Sequence, residues 1–234
     1  MLELTKKPKG TTIIEGFPGI GLVGTIATGF LVDHLECEKI GKCYFENAPP
    51  TLAIHGSYKL DPVSIHHNKK YNVVIIHAIT APTKIEWQAA ATVMDICKQL
   101  KPKELISIEG VGSRSPEPQI FQFTDDSKTK KDFEKLNIPS LDEGIVMGVT
   151  AALMQKQDGT PLTSLFAETT SQMPDSKAAA KIIEALDKYL GLDVDTKPLL
   201  KQAENFEDKL KGLMKHAAAT KQVKEDKHQL DYLG

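Results

Sequence analysis

Cysteine is scarce: Cys37, Cys43 and Cys97 are the three in 234 residues, and no two form a C-x-x-C pair. An odd, scattered set of thiols excludes a disulfide framework, gives no local zinc signature and fits a reducing compartment. Long apolar runs are also missing. No stretch approaches the ~20 residues that cross a bilayer, and the opening MLELTKKPKG has no apolar signal-peptide core. Charge of one sign is not in excess either. Lysine and arginine total 29 against 31 acidic residues, a net charge of -2, which leaves no footprint for nucleic acid or an anionic membrane. The chain contains no G-x-S-x-G, no G-x-x-x-x-G-K-[ST] and no H-E-x-x-H, and no fixed-period repeat or low-complexity segment. These absences point to a soluble cytoplasmic protein without a ready-made catalytic signature.

What is present is an ordinary globular composition, 41% hydrophobic and 26% charged, long enough for one large α/β domain with a helical appendage. Strand-like and helix-like segments alternate over the first two-thirds, which favours an α/β class. Strands are expected at 11–16, 39–45, 52–58, 63–65, 71–77, 103–109, 119–123 and 162–167. Helices are expected at 22–35, 82–100, 127–136, 143–155 and 176–190. YNVVIIH and KELISIE are apolar at their centres, the pattern of strands buried on both faces. The domain is expected to span 1–190.

Between the first strand and first helix lies GFPGIGLVG, in which Gly19, Gly21 and Gly24 spell G-x-G-x-x-G. In a dinucleotide site such glycines give a tight turn, close approach to a pyrophosphate, and close helix packing. Here Pro18 removes a backbone donor in front of Gly19, and the acidic residue expected ~20 positions on could only be Glu46. We therefore read Phe17, Pro18, Gly19, Gly21 and Gly24 as a structural turn, with a nucleotide or nucleoside site as the alternative and no cofactor assigned.

The seven histidines, His34, His55, His66, His67, His77, His216 and His228, contain no i, i+4 pair on a helix and so no metal signature. His66 and His67 lie in a strand before a hairpin turn and face opposite sides. His77, at a strand end, is the best placed for chemistry, and a hydrogen-bonded core histidine is the simpler reading. Glu15, Glu86, Glu109 and Glu143 fall at element boundaries. A cluster at one rim of the sheet would serve as acid and base or hold Mg²⁺, while capping and solvated loop charge is the plainer expectation. No catalytic or metal-ligating residue is assigned.

After residue 190 the character changes. A helical extension is expected over 191–219, its helix starting at a Thr196 cap, with Leu199, Ala203, Phe206, Leu210 and Leu213 forming a coiled-coil-like seam for a hairpin partner or a second subunit. Residues 220–234 read as a flexible tail, charged until Leu230, Tyr232, Leu233 and Gly234, which suit docking into a partner pocket.

EGFPGIGLVGTIATGFLVDHL, followed in order by APPTLAIHG, YNVVIIH, EWQAAATVMDICKQLKPKELISIEGVGS and EGIVMGVTAALM, resembles the proteasome assembly chaperone 2 (PAC2) family in its archaeal form. The resemblance covers about residues 10–190. It implies a three-layer α/β/α sandwich similar to the nucleoside-phosphorylase class, without that active site. It further implies a non-enzymatic homo-oligomer that engages 20S proteasome α-subunits as an assembly factor or ATP-independent activator, or that partners a paralogous PAC2 protein. Family members that bind the proteasome carry a hydrophobic–Tyr–X tail. This chain departs from that pattern: Tyr232 is antepenultimate, Leu233 is penultimate, and Asp231 precedes the tyrosine. Distant similarity to ATP-grasp ligases has been drawn for the family, and no residues here support it.

Overall fold

A computed structural model describes residues 1–45, 50, 52–55, 57–80, 84–113, 119–156, 159–169, 173–198 and 200–201. Ten strands and five α-helices are described: β1 (Leu2–Leu4), β2 (Thr12–Gly16), α1 (Val23–His34), β3 (Glu38–Cys43), β4 (Ala53–His55) and β5 (Tyr58–Leu60). They continue as β6 (Val63–Asn68), β7 (Val73–Ala78), α2 (Glu86–Leu100), β8 (Glu104–Gly112), β9 (Ile120–Thr124), α3 (Ser127–Lys135), α4 (Gly148–Lys156), β10 (Leu162–Thr169) and α5 (Ser176–Leu190).

Eight strands form one mixed sheet in the order β1-β3-β6-β7-β2-β8-β10-β9. The central block β7-β2-β8-β10 is parallel, and antiparallel strands flank it on both sides. Alternation along the central strands feeds two cores. Ile13, Val74, Ile76 and Leu105 pack with α2 and α4 on one face. Ile14, Val73, Ile75 and Ile106 pack with α1, α5 and Phe133 of α3 on the other. A strand buried on both faces needs apolar residues at every position, which is why β7 reads VVII without a polar break. The result is the expected three-layer α/β/α arrangement.

Local chemistry sets the helix ends. Asp175 caps α5 by accepting from the Ala178 N–H at 3.0 Å, and Gly191 ends it at φ 66°. Asp126 caps α3 through the Thr129 N–H at 2.7 Å. Among the described residues no helix is long and apolar enough to cross a membrane.

Several elements differ from the expectation. β1, three residues long and paired antiparallel with β3, has too little pattern to be seen in MLELTKKPKG. The single strand expected at 52–58 is a hairpin, β4 paired with β5, with Ser57 at φ 72°. The Gly56-Ser57 dipeptide carried that signal, since two-residue hairpin loops favour positive φ. The helix expected from 143 begins at Gly148, whose φ of 74° sets its start. The helix after Thr196 starts where expected, with the Thr196 carbonyl accepting the Leu200 N–H at 3.2 Å, but the side-chain bond there is from Asp195, which accepts the Lys197 N–H at 3.0 Å, while the Thr196 hydroxyl donates to Glu184 at 3.3 Å. Leu199, Ala203, Phe206, Leu210 and Leu213 lie outside the described residues, as do the tail positions Leu230, Tyr232, Leu233 and Gly234.

Candidate functional site

The segment after β2 is held by backbone contacts. A Cβ on Gly16 would sit 2.2 Å from the Gly24 carbonyl oxygen, and one on Gly24 would sit 2.9 Å from the Ile108 oxygen and 3.0 Å from the Gly16 Cα. The first turn of α1 therefore enters against β2 and β8 with no side chain between them. Phe17 is buried and tilted against Phe45, its ring centroid 6.5 Å away. Gly21 adopts φ 66°, and its carbonyl accepts the Asp175 N–H at 2.9 Å, tying the turn to the start of α5.

Gly19 faces a carboxylate. A Cβ there would lie 1.8 Å from Oε1 of Glu109, on β8. The same oxygen accepts the Gly110 N–H at 3.1 Å, Oε2 accepts the Thr150 hydroxyl at 3.3 Å, and the Ile20 N–H also bonds this carboxylate. Gly148, the first residue of α4, is close by: its Cβ would stand 3.6 Å from Oε2. A glycine turn, converging N–H groups and a helix N-terminus make the surroundings in which phosphates bind. In this chain the seat is filled from within, by Glu109.

Thr150 leads to a second carboxyl. Its hydroxyl is 2.8 Å from that of Ser107, and the Ser107 hydroxyl bonds Oε1 of Glu15 on β2. Glu15 is 1% exposed, and its Oε2 has no hydrogen-bond partner. Sheet geometry explains the meeting: Glu15 is in register with Ser107, and Ser107 and Glu109 share a face by alternation along β8. Ser164 on β10, in register with Ser107, adds a buried hydroxyl without a hydrogen-bond partner.

Burial is the main force on both acids. It pushes the Glu15 carboxyl up to about 8, aided by the neighbouring Glu109 charge and opposed by the Ser107 hydroxyl and the Phe17 N–H. Glu109 is pushed up to about 7, again by burial, against the Gly110 N–H, Thr150 and the Ile20 N–H. At neutral pH the pair therefore holds at least one proton, which two hydroxyls can pass between the acids.

The other expected positions do not join this cluster. Glu86 opens α2 and accepts the N–H of Lys84, just before the helix, at 3.3 Å, and Glu143 is exposed. Local hydrogen bonding and loop charge describe those two, whereas Glu15 and Glu109 are buried together. His77 lies on the α1 side of the sheet, its Nδ1 2.9 Å from the Thr28 hydroxyl, and burial lowers it to about 4. His66 bonds Ser64 at 2.8 Å and is lowered to about 4, by burial and then by Lys39. Among the described residues no three His, Cys, Asp or Glu side chains gather as a metal site requires.

Fold and site together define a three-layer α/β/α domain whose glycine turn closes over its own carboxylate. Comparison with known proteins identifies the lineage: the PAC2 family matches residues 13–214, and the chain belongs to it. It is 30% identical over 203 residues to the uncharacterized protein MJ0106 of Methanocaldococcus jannaschii, covering 86% of this chain and 84% of that one. It is similar to Pyrococcus furiosus PbaA, an archaeal homolog of proteasome-assembly chaperone, at 30% identity and a TM-score of 0.81 over 91% of this chain and 95% of PbaA. P. furiosus PbaB, an archaeal proteasome activator, shares the fold at 21% identity and a TM-score of 0.76 over 92% and 98% of the two chains.

Proposed function

We propose that this chain is a non-enzymatic, homo-oligomeric scaffold of the PAC2 family that binds α-subunits of the 20S proteasome, as an assembly factor or an ATP-independent activator. The observation that carries the reading is the near-full-length similarity to PbaA in sequence and structure. The site supports it from the other side. With Glu109 in the seat under the glycine turn, a phosphate would meet a carboxylate where a nucleotide site offers bare N–H groups. The helical extension, through Leu199, Ala203, Phe206, Leu210 and Leu213, supplies the contact between subunits. The tail residues Leu230, Tyr232, Leu233 and Gly234 supply the contact with the partner.

Native mass and size-exclusion analysis, alone and with 20S α-rings, tests this directly. The full chain is expected to run as an oligomer and co-elute with the rings, and a chain lacking residues 231–234 to remain an oligomer without co-eluting. Failure of the intact chain to co-elute overturns the proteasome part. One observation favours a second partner: P. furiosus has both PbaA and PbaB, so two proteins of this fold exist in one archaeon. A paralogous PAC2 protein that co-elutes where α-rings do not would select that reading.

A further inference from the structure

The Glu15–Ser107–Thr150–Glu109 chain contains three contacts and two hydroxyl protons. Ser107 bonds Glu15, Ser107 and Thr150 lie 2.8 Å apart, and Thr150 bonds Glu109. Each hydroxyl has one hydrogen to donate. All three contacts are hydrogen bonds only if one carboxyl supplies the third proton. With the proton on Glu15, the order is Glu15 to Ser107 to Thr150 to the Glu109 carboxylate. With it on Glu109, every donor reverses. If both acids are ionised, Ser107 donates to Glu15 and Thr150 to Glu109, and two hydroxyl oxygens face each other with no proton between them.

We infer that this hydrogen-bonded chain is a proton-operated latch: one shared proton lets Thr150 hold the N-terminal turn of α4 to the central strand β8 by two bonds, and removing it breaks the Ser107 bond and loosens that turn, leaving the bond to Glu109. Thr150 is the α4 end of the latch and is 1% exposed, so no water replaces the lost bond without movement. The loosened segment continues into Ile145 and Met147, already 88% and 66% exposed at the rim of the sheet.

The groups around the pair leave the proton as the control. Glu15 is contributed by β2 and Glu109 by β8, α4 contributes Thr150, and the glycine turn has no ionisable side chain. On α2, which packs with α4 in the same core, the buried face is Ala89, Ala90, Val93, Met94, Ile96 and Cys97, while Glu86, Asp95 and Lys98 are not among its buried residues. His77 lies on the opposite side of the sheet, at Thr28. Burial holds the carboxyls at about 7 and about 8, which puts release just above neutrality.

The molecule contains its own reporter. The only tryptophan is Trp87 of α2, and the Lys156 ammonium of α4 lies 5.6 Å from its ring centroid. Titrating Trp87 fluorescence from pH 6 to 9.5, with far-ultraviolet circular dichroism as a check on fold, is expected to give a sigmoid centred near 8 for the wild type. Hydrogen exchange at 148–153, corrected for intrinsic rates, should rise about tenfold across it, the effect of one lost buried hydrogen bond. In Glu15→Gln the amide donates to Ser107 at every pH, so both signals should stay flat at the closed level. In Thr150→Val both hydroxyl bonds are gone, and exchange should already be at or above the released level at pH 6, without a further rise. A wild type flat across the range overturns the latch, as does a Glu15→Gln chain that keeps the wild-type transition.

Discussion

Replacing Glu15 by Gln should make the protein more stable, by an amount that grows with pH. Glu15 holds its proton up to about pH 8 in the fold, against a value near 4.5 when exposed. The native state therefore binds the proton more tightly, and the wild type loses stability as pH rises from about 4.5 to about 8, levelling off above. Keeping the group neutral at pH 7 costs about 3 kcal/mol relative to the ionised unfolded chain, and the full displacement costs about 5 kcal/mol. Glutamine avoids both. Its amide can donate to Ser107, and its oxygen inherits the unpartnered position of Oε2, an offset of about 1 kcal/mol. Urea denaturation at pH 5, 7 and 9 should show the two proteins nearly matched at pH 5. The variant should lead by about 2–3 kcal/mol at pH 7 and by up to about 4 at pH 9. A wild type whose stability is flat between pH 5 and 8, or a Glu15→Gln chain destabilised at pH 9, would refute the claim that burial controls this carboxyl.

Gly24→Val forces side-chain atoms against backbone of β2 and β8 and should cost more than about 3 kcal/mol or prevent folding. Gly19→Ala meets only the movable end of Glu109 and should cost about 1–2 kcal/mol, both read by urea midpoints. Asp175→Ala removes the α5 cap and should cost about 1 kcal/mol by the same assay. His77 has its value lowered from 6.5 to about 4, so its contribution to stability is present above 6.5 and is lost as pH falls toward 4; its ring resonances should titrate near 4 in NMR. ATP, NAD and nucleosides should leave the melting temperature unchanged, whereas a ligand at 100 times its dissociation constant would add about 2.7 kcal/mol.

The elements most open to sequence reading were those whose pattern is local. α5 spans 176–190 as expected, because an aspartate cap, an i, i+4 apolar face and a terminal glycine all lie within the segment. β7 announced itself as an interior strand by its unbroken VVII. The carboxyl pair was harder, since Glu15 and Ser107 are 92 residues apart and meet only because β8 pairs with β2 in one register. The alternation that puts Ile13 and Glu15 on one face, and Leu105, Ser107 and Glu109 on one face, was there to be read. What sequence could not supply was the strand order. The strand expected at 103–109 runs on through Gly110 and Gly112, and the missing Cβ of Gly110 admits the Ile20 carbonyl, which would lie 2.0 Å from it.

The strand order also sets a timetable for synthesis. β2 is made among the first sixteen residues, yet its partners are β7 and β8, which begin at Val73 and Glu104. At ribosomal rates of about 5–20 residues per second, the strand that becomes the middle of the sheet waits roughly 5–20 seconds for its second neighbour. During that interval TIIEG is an unpaired apolar edge on a nascent chain, the condition under which strands find wrong partners. A protein proposed to guide the assembly of others thus leaves one edge of its own central strand open until nearly half its length has been made.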